Sequence, residues 1–165
     1  MRLFIAAPFP DDVRDSLCDY MQNMRDSGMM GNFTRYENLH LTLSFLGETA
    51  SIAPVKQAMD EVKFAPLRLT IGKSGSFGDL LWVGVTGDGL SLLANDLRAG
   101  LEKNGVSFDT KKFRPHVTLV RRAVGGTVPE MEKISFTADK ISLFNSERIK
   151  GRLTYTPLYS VSSAD

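Results

Sequence analysis

The chain holds two histidines, and each opens the same short phrase: His40-Leu41-Thr42-Leu43 and His116-Val117-Thr118-Leu119. In a strand, alternate side chains share a face, so each phrase presents one imidazole and one hydroxyl to one surface. Brought together about a pseudo-twofold axis, the two phrases supply two imidazoles and two hydroxyls around one point. Imidazole takes either proton state near neutrality, so one ring can accept a proton while the other donates. That pair suits attack of water on a phosphodiester with loss of an alkoxide. The threonine hydroxyls suit hydrogen bonds to non-bridging phosphate oxygens. A lone histidine on an apolar strand is ordinarily a core residue, and threonine is common in strands for its β-propensity. The use of every histidine in the same phrase outweighs that reading.

The scheme requires no metal. Zinc sites take three or four protein ligands, and although Glu48 or Asp109 could join the histidines, no ligand spacing supports such a set. The segment Gly72-Lys73-Ser74 resembles the end of a phosphate-binding loop, but residue 67 is leucine where the pattern needs glycine. Around the second phrase, Lys111, Lys112, Arg114, Arg121 and Arg122 fall in a stretch with no acid over 110–129. Such a rim attracts a polyanion, although for Lys111 and Lys112 a solvated surface explains the charge equally well. Strict alternation puts Arg122 on the His116 face and Arg121 on the other; a bulge would exchange them.

The elements that must hold these residues alternate between strand and helix. Strands are predicted at 2–8, 33–36, 39–46, 67–71, 80–86, 113–122, 132–146 and 152–160. The first helix begins at Asp11, buries Val13, Leu17, Met21 and Met24, and stops near residue 27 ahead of Gly28 and Gly31. A second spans about 52–63, with Ser51 as N-cap and Pro54 in the first turn. A third carries Leu90, Leu93, Leu97 and Leu101 and ends at Gly105. Residues 72–79 read as a glycine-rich hairpin loop and 123–130 as a mobile loop. Asn38 marks the irregularity before the first phrase. The order strand, helix, strand recurs in each half, as expected of a duplicated half-domain in one α+β domain spanning 1–165.

Bulk properties set outer limits. A net charge of +1 argues against a strongly basic nucleic-acid glove, and 42% hydrophobic with 24% charged residues is ordinary for a globular protein. No stretch approaches the length of a membrane span. The short apolar start reads as a strand and not as a signal peptide. Cys18 is alone, so it forms no disulfide framework, and it reads as a small buried hydrophobe. These features predict a cytoplasmic, monomeric protein that does not engage membranes.

The residues also resemble a family. Arg2-Leu3-Phe4-Ile5-Ala6, Arg35 through Leu43, Phe45-Leu46-Gly47-Glu48, Leu81 through Val85, Phe113 through Arg121, and the Leu143–Tyr155 stretch with Ser146 and Gly151 are similar to the two-histidine (2H) phosphoesterases. Within them the likeness is to the RNA 2′,3′-cyclic phosphodiesterase branch, once called 2′-5′ RNA ligase, and it covers essentially the whole chain. The resemblance implies a bilobal α+β fold in which two antiparallel sheets line a central cleft with helices outside. It implies hydrolysis of an RNA terminal 2′,3′-cyclic phosphate to a 2′-phosphomonoester without metal or other cofactor. His40 would be the proton donor and His116 the acceptor, with Thr42 and Thr118 holding phosphate. The family often carries arginine five residues past the second histidine, which favours Arg121 over Arg122. Tyr36 stands where the family commonly has tryptophan.

The substrates implied are RNA ends bearing the cyclic phosphate, such as cleaved tRNA, or small cyclic nucleotides. Alternatives are the ligation direction at the same site and a non-catalytic nucleotide- or RNA-binding module. RNA is commonly read through stacked bases. Phe9, Tyr36, Phe77 and Trp82 are candidate stacking residues, with Phe9, in its proline-flanked loop, the preferred contact and Arg122 a second possible one.

Overall fold

A computed structural model describes residues 1–164. The chain forms β1 (Arg2–Pro8), α1 (Asp11–Asp26), β2 (Met30–Phe33), β3 (His40–Glu48), α2 (Ala53–Glu61), β4 (Leu67–Phe77), β5 (Leu80–Thr86), α3 (Leu90–Lys103), β6 (His116–Val124), β7 (Ile134–Ala138), β8 (Lys140–Ile149) and β9 (Arg152–Ser162). A single 3₁₀ turn, Tyr36–Asn38, precedes β3. The strands make two sheets, ordered β3-β1-β8-β9 and β2-β6-β5-β4-β7, with antiparallel neighbours throughout. Each histidine phrase begins a strand, one per sheet, and β3 touches β6. This is the predicted α+β architecture.

Both motif strands bury their inward residues: Leu41 and Leu43 in β3, Val117 and Leu119 in β6. Each such side chain contributes about 1.5–3 kcal/mol when fully buried, which fixes the register and turns His40, Thr42, His116 and Thr118 the other way. α1 buries the four predicted apolar residues and also Tyr20. Helices α2 and α3 pack on each other, and α3 also packs on β3. Gly105, at φ 72°, follows α3 in the left-handed conformation that ends helices.

Several expected boundaries move. The strand expected at 33–36 lies earlier: β2 spans Met30–Phe33 and the 3₁₀ turn begins at Tyr36. The α2 N-cap is Ile52, not Ser51, and no side chain caps it, although Pro54 occupies the first turn as expected. Residues 72–77 belong to β4, not to a loop; the turn is confined to Gly78-Asp79, and Lys73 takes a left-handed φ of 59° at a break in register. The predicted strand 132–146 is two strands in different sheets. β7 pairs with β4 while β8 pairs with β1, and the chain crosses between sheets at Asp139.

The 123–130 segment is anchored, not loose. Ala123 and Val124 continue β6. Beyond them, Thr127 N–H donates to Ser27 Oγ at 2.8 Å, and Tyr20 O–H donates to the Pro129 carbonyl at 2.6 Å. Gly126 has φ +68°, and a Cβ there would lie 2.5 Å from the backbone nitrogen of Met29. Gly126→Ala should therefore destabilise the protein by about 1–3 kcal/mol, from forced conformation alone before the clash is added. Denaturant titration checks this; an unchanged midpoint would contradict it.

Candidate active site

The two imidazoles are oriented in the same way. His40 Nδ1 lies 2.7 Å from the carbonyl of Asn38 and His116 Nδ1 lies 2.5 Å from the carbonyl of Arg114. A carbonyl only accepts, so each Nδ1 carries the hydrogen, and each Nε2 is left as the atom that can exchange a proton with a substrate. His40 Nε2 is 2.8 Å from Thr42 Oγ1, which confirms that this imidazole and hydroxyl share a face. Asn38 is itself held, its Nδ2 donating to the Leu153 carbonyl on β9 at 3.0 Å; Arg35 donates to the same oxygen. These acceptor carbonyls, two residues before each histidine, have no side-chain signature and cannot be read from sequence.

The strands depart from ideal alternation at the same place. In β3, Ala6 pairs with Thr42 and Ile5 with Ser44, so Leu43 is an extra residue. In β6, Trp82 pairs with Thr118 and Leu81 with Val120, so Leu119 is extra. After each bulge two successive residues are buried, Leu43-Ser44 and Leu119-Val120. The residue five past each histidine therefore returns to the histidine's face. Those residues are Phe45 and Arg121. Strict alternation, which favours Arg122, is broken by the bulge at Leu119, which turns Arg121 to the histidine face and leaves Arg122 in the left-handed region at φ 56°.

The surroundings of the two rings differ. His40 is enclosed by Phe4, with ring centroids 4.9 Å apart, and by Tyr155 edge-on at 5.1 Å. Burial pushes the His40 pKa below its usual 6.5; the Asn38 hydrogen bond opposes this, and the nearby charges of His116 and Arg121 add to the lowering. Burial raises the Tyr155 hydroxyl above its usual 10.0, partly offset by Arg121 and Arg2. β3 touches β6, so the charges of His116 and Arg121 on β6 act on His40 on β3. Arg2 does not stand in for Arg121 by symmetry of sequence, but its guanidinium lies 5.0 Å from the Phe45 ring, the position equivalent to Arg121.

Phe9 is corrected as a substrate contact. The residue is only 5% exposed, and its ring packs edge-on against Phe136 at 5.2 Å within the hydrophobic core. Tyr36 lies under the Arg14 guanidinium at 5.6 Å. Phe77 and Trp82 do stand beside His116, at 5.7 and 6.3 Å between ring centroids. Cys18 is half-buried, and its thiol is raised above the usual 9.0 by burial first and by Asp15 and Asp19 next, which leaves it a poor nucleophile. A cavity of about 370 Å³ opens between α2 and α3 beside Glu61, Lys63 and Asp96, but no histidine lines it. Among the described residues no group of three or more His, Cys, Asp or Glu is placed to hold a metal, and no helix is long and apolar enough to cross a membrane.

Known proteins share this fold. A family described as LigT like phosphoesterase matches the chain twice, over residues 7–86 and 81–155, so each match contains one histidine phrase. An RNA 2′,3′-cyclic phosphodiesterase of Archaeoglobus fulgidus is 34% identical over 73% of this chain and 72% of its own length. The Escherichia coli protein of the same description is 29% identical over 95% of this chain and 93% of its own. The crystal structure of E. coli LigT complexed with 3′-AMP superposes with a TM-score of 0.86 at 28% identity, covering 99% of this chain and 98% of that one. Two matches to one family description, each centred on a histidine strand, and relatives aligned over most of both lengths together show that this chain belongs to the LigT-like phosphoesterase family.

Proposed function

We propose that the chain, acting as one catalytic unit of two lobes, hydrolyses RNA terminal 2′,3′-cyclic phosphates to 2′-phosphomonoesters. The observation that carries the reading is the same lock on Nδ1 in both rings, which leaves each Nε2 free on one of two strands that touch. Neutral His116 takes a proton from water at Nε2 as the water oxygen attacks phosphorus. The P–O3′ bond breaks, and protonated His40 gives its Nε2 proton to the departing O3′. Thr42, Thr118 and Arg121 hold the non-bridging oxygens. The cycle ends with His116 protonated and His40 neutral, and one proton exchanged through solvent restores the start. No step in it calls on a metal.

Oligoribonucleotides ending in a 2′,3′-cyclic phosphate should be opened in excess EDTA, and the product should carry phosphate on the 2′ oxygen alone. A 3′-phosphate product would reverse the leaving group. Joining to a 5′-hydroxyl end without hydrolysis would favour the ligation direction. Binding with no turnover would favour a non-catalytic module.

The acid role has a pH consequence. An acid whose pKa is lowered is protonated only below that value, so kcat/KM should fall as pH rises through a His40 pKa on the acid side of 6.5. A bound phosphate anion favours the imidazolium and should move that pKa upward. Imidazole NMR of the free and phosphate-saturated protein checks both signs. A free-protein pKa for His40 at or above 6.5 would contradict the burial argument.

A further inference from the structure

Each imidazole turns its Nδ1 to the carbonyl two residues earlier, yet the two halves hold that carbonyl by different means. In the second half the intervening residue is Pro115. Its ring fixes φ at about −65° and restricts Arg114 before it to extended conformations. The Pro115 carbonyl is tied as well, accepting the Val85 N–H at 3.1 Å. The chain itself therefore sets the Arg114 carbonyl, while the Arg114 side chain is exposed.

In the first half the intervening residue is Leu39. It takes φ −67°, the value a proline ring imposes, with no ring to impose it. Proline is unsuited to this position. Asn38 closes the 3₁₀ turn, a conformation disfavoured before proline, and the Leu39 N–H donates to the Tyr36 carbonyl at 3.3 Å, a donor that proline lacks. Asn38 supplies the hold instead. It is 6% exposed, and its polar groups are committed in three directions. The N–H donates to the Arg35 carbonyl at 2.9 Å, Nδ2 donates to the Leu153 carbonyl on β9 at 3.0 Å, and the carbonyl accepts from His40 Nδ1. A buried amide is costly unless it is bonded, and an apolar side chain would fill the same space without that cost. What the amide adds is the tether.

We infer that Asn38 is a positioning residue for His40, its side-chain amide serving the first histidine as the Pro115 ring serves the second. This rests on the function proposed above, in which His40 Nε2 must stay on the departing oxygen. Nδ1 carries its hydrogen in the neutral ring and in the imidazolium alike, so a fixed acceptor holds the ring through the whole cycle. Because the tether ends on β9, the placing of His40 depends on a strand that carries neither histidine.

The test uses Asn38→Leu, which keeps a branched side chain and removes the donor, and Pro115→Ala, which frees the backbone. Imidazole ¹⁵N NMR of the free proteins reports which nitrogen carries the hydrogen, and adenosine 2′,3′-cyclic phosphate reports turnover. In Asn38→Leu, neutral His40 should lose its fixed Nδ1–H form while His116 keeps it; Pro115→Ala should do the reverse. Asn38→Leu should lower kcat by about 10- to 100-fold, the cost of a misplacement on the order of 1 Å. KM should stay nearly unchanged, because the phosphate contacts remain. An unaltered His40 tautomer in Asn38→Leu, or a rise in KM at unchanged kcat, would overturn the tether. Both rings changing in either variant would show a general loosening and overturn it too, and an unaltered His116 in Pro115→Ala would end the parallel between the two halves. If the unaltered protein opens no cyclic phosphate, the proposed function fails, while the NMR comparison, which needs no substrate, still decides whether Asn38 holds His40.

Discussion

His116→Ala and His40→Ala should each lower kcat/KM on a 2′,3′-cyclic phosphate by about 10²–10⁴-fold, the range carried by one positioned acid or base. The two losses should differ in character. His116 is flanked by the open ring of Phe77, so alanine there leaves space for solvent, and added imidazole should recover part of the rate. His40 lies between Phe4 and Tyr155, where an added base enters less readily. The double variant should be little worse than the poorer single one, because groups that act on one transition state are not additive. Unfolding midpoints should stay near that of the parent, since the core faces of β3 and β6 are untouched. Full activity in either single variant would end the acid–base assignment.

Arg121→Ala should lower kcat/KM by about 10- to 100-fold, the loss of a charge-assisted contact of about 1.5–3 kcal/mol. Arg121→Lys should recover only part of it, because an ammonium lacks the planar fork. A second readout separates contact from mere charge. Arg121 helps to lower the His40 pKa, so its removal should raise that pKa in the free protein. Arg122, unlike Arg121, is not among the charges that act on His40, so Arg122→Ala should leave both rate and His40 titration nearly unchanged. A loss confined to Arg122→Ala would mean that the bulge does not turn Arg121 into the cleft.

That choice between neighbouring arginines shows where sequence reading stops. The alternation of apolar residues in 39–46 and 116–120 is a direct consequence of burying one sheet face, so the motif strands and the shared face of each His–Thr pair were legible. The bulges at Leu43 and Leu119 were not, because an extra residue leaves no mark on composition and is revealed only by the partner strand. The same holds for Asp139, where alternation runs on while the chain changes sheets. Glycines at 72 and 75 read as turn formers, yet Gly75 serves to admit the Trp82 ring inside a strand. Phe9 was favoured for its exposed-looking proline context, but hydrophobic burial took precedence and Phe77 holds the open position.

The central claim is that one phosphate is held by both halves of the repeat. Titrating ¹⁵N-histidine-labelled protein with inorganic phosphate tests it most directly, by following the two Nε2 resonances. The account predicts that both respond, along one isotherm with a common midpoint, and that Thr42→Val or Thr118→Val weakens the response at both rings together. Movement of one imidazole alone, or two separate midpoints, would contradict a single shared site.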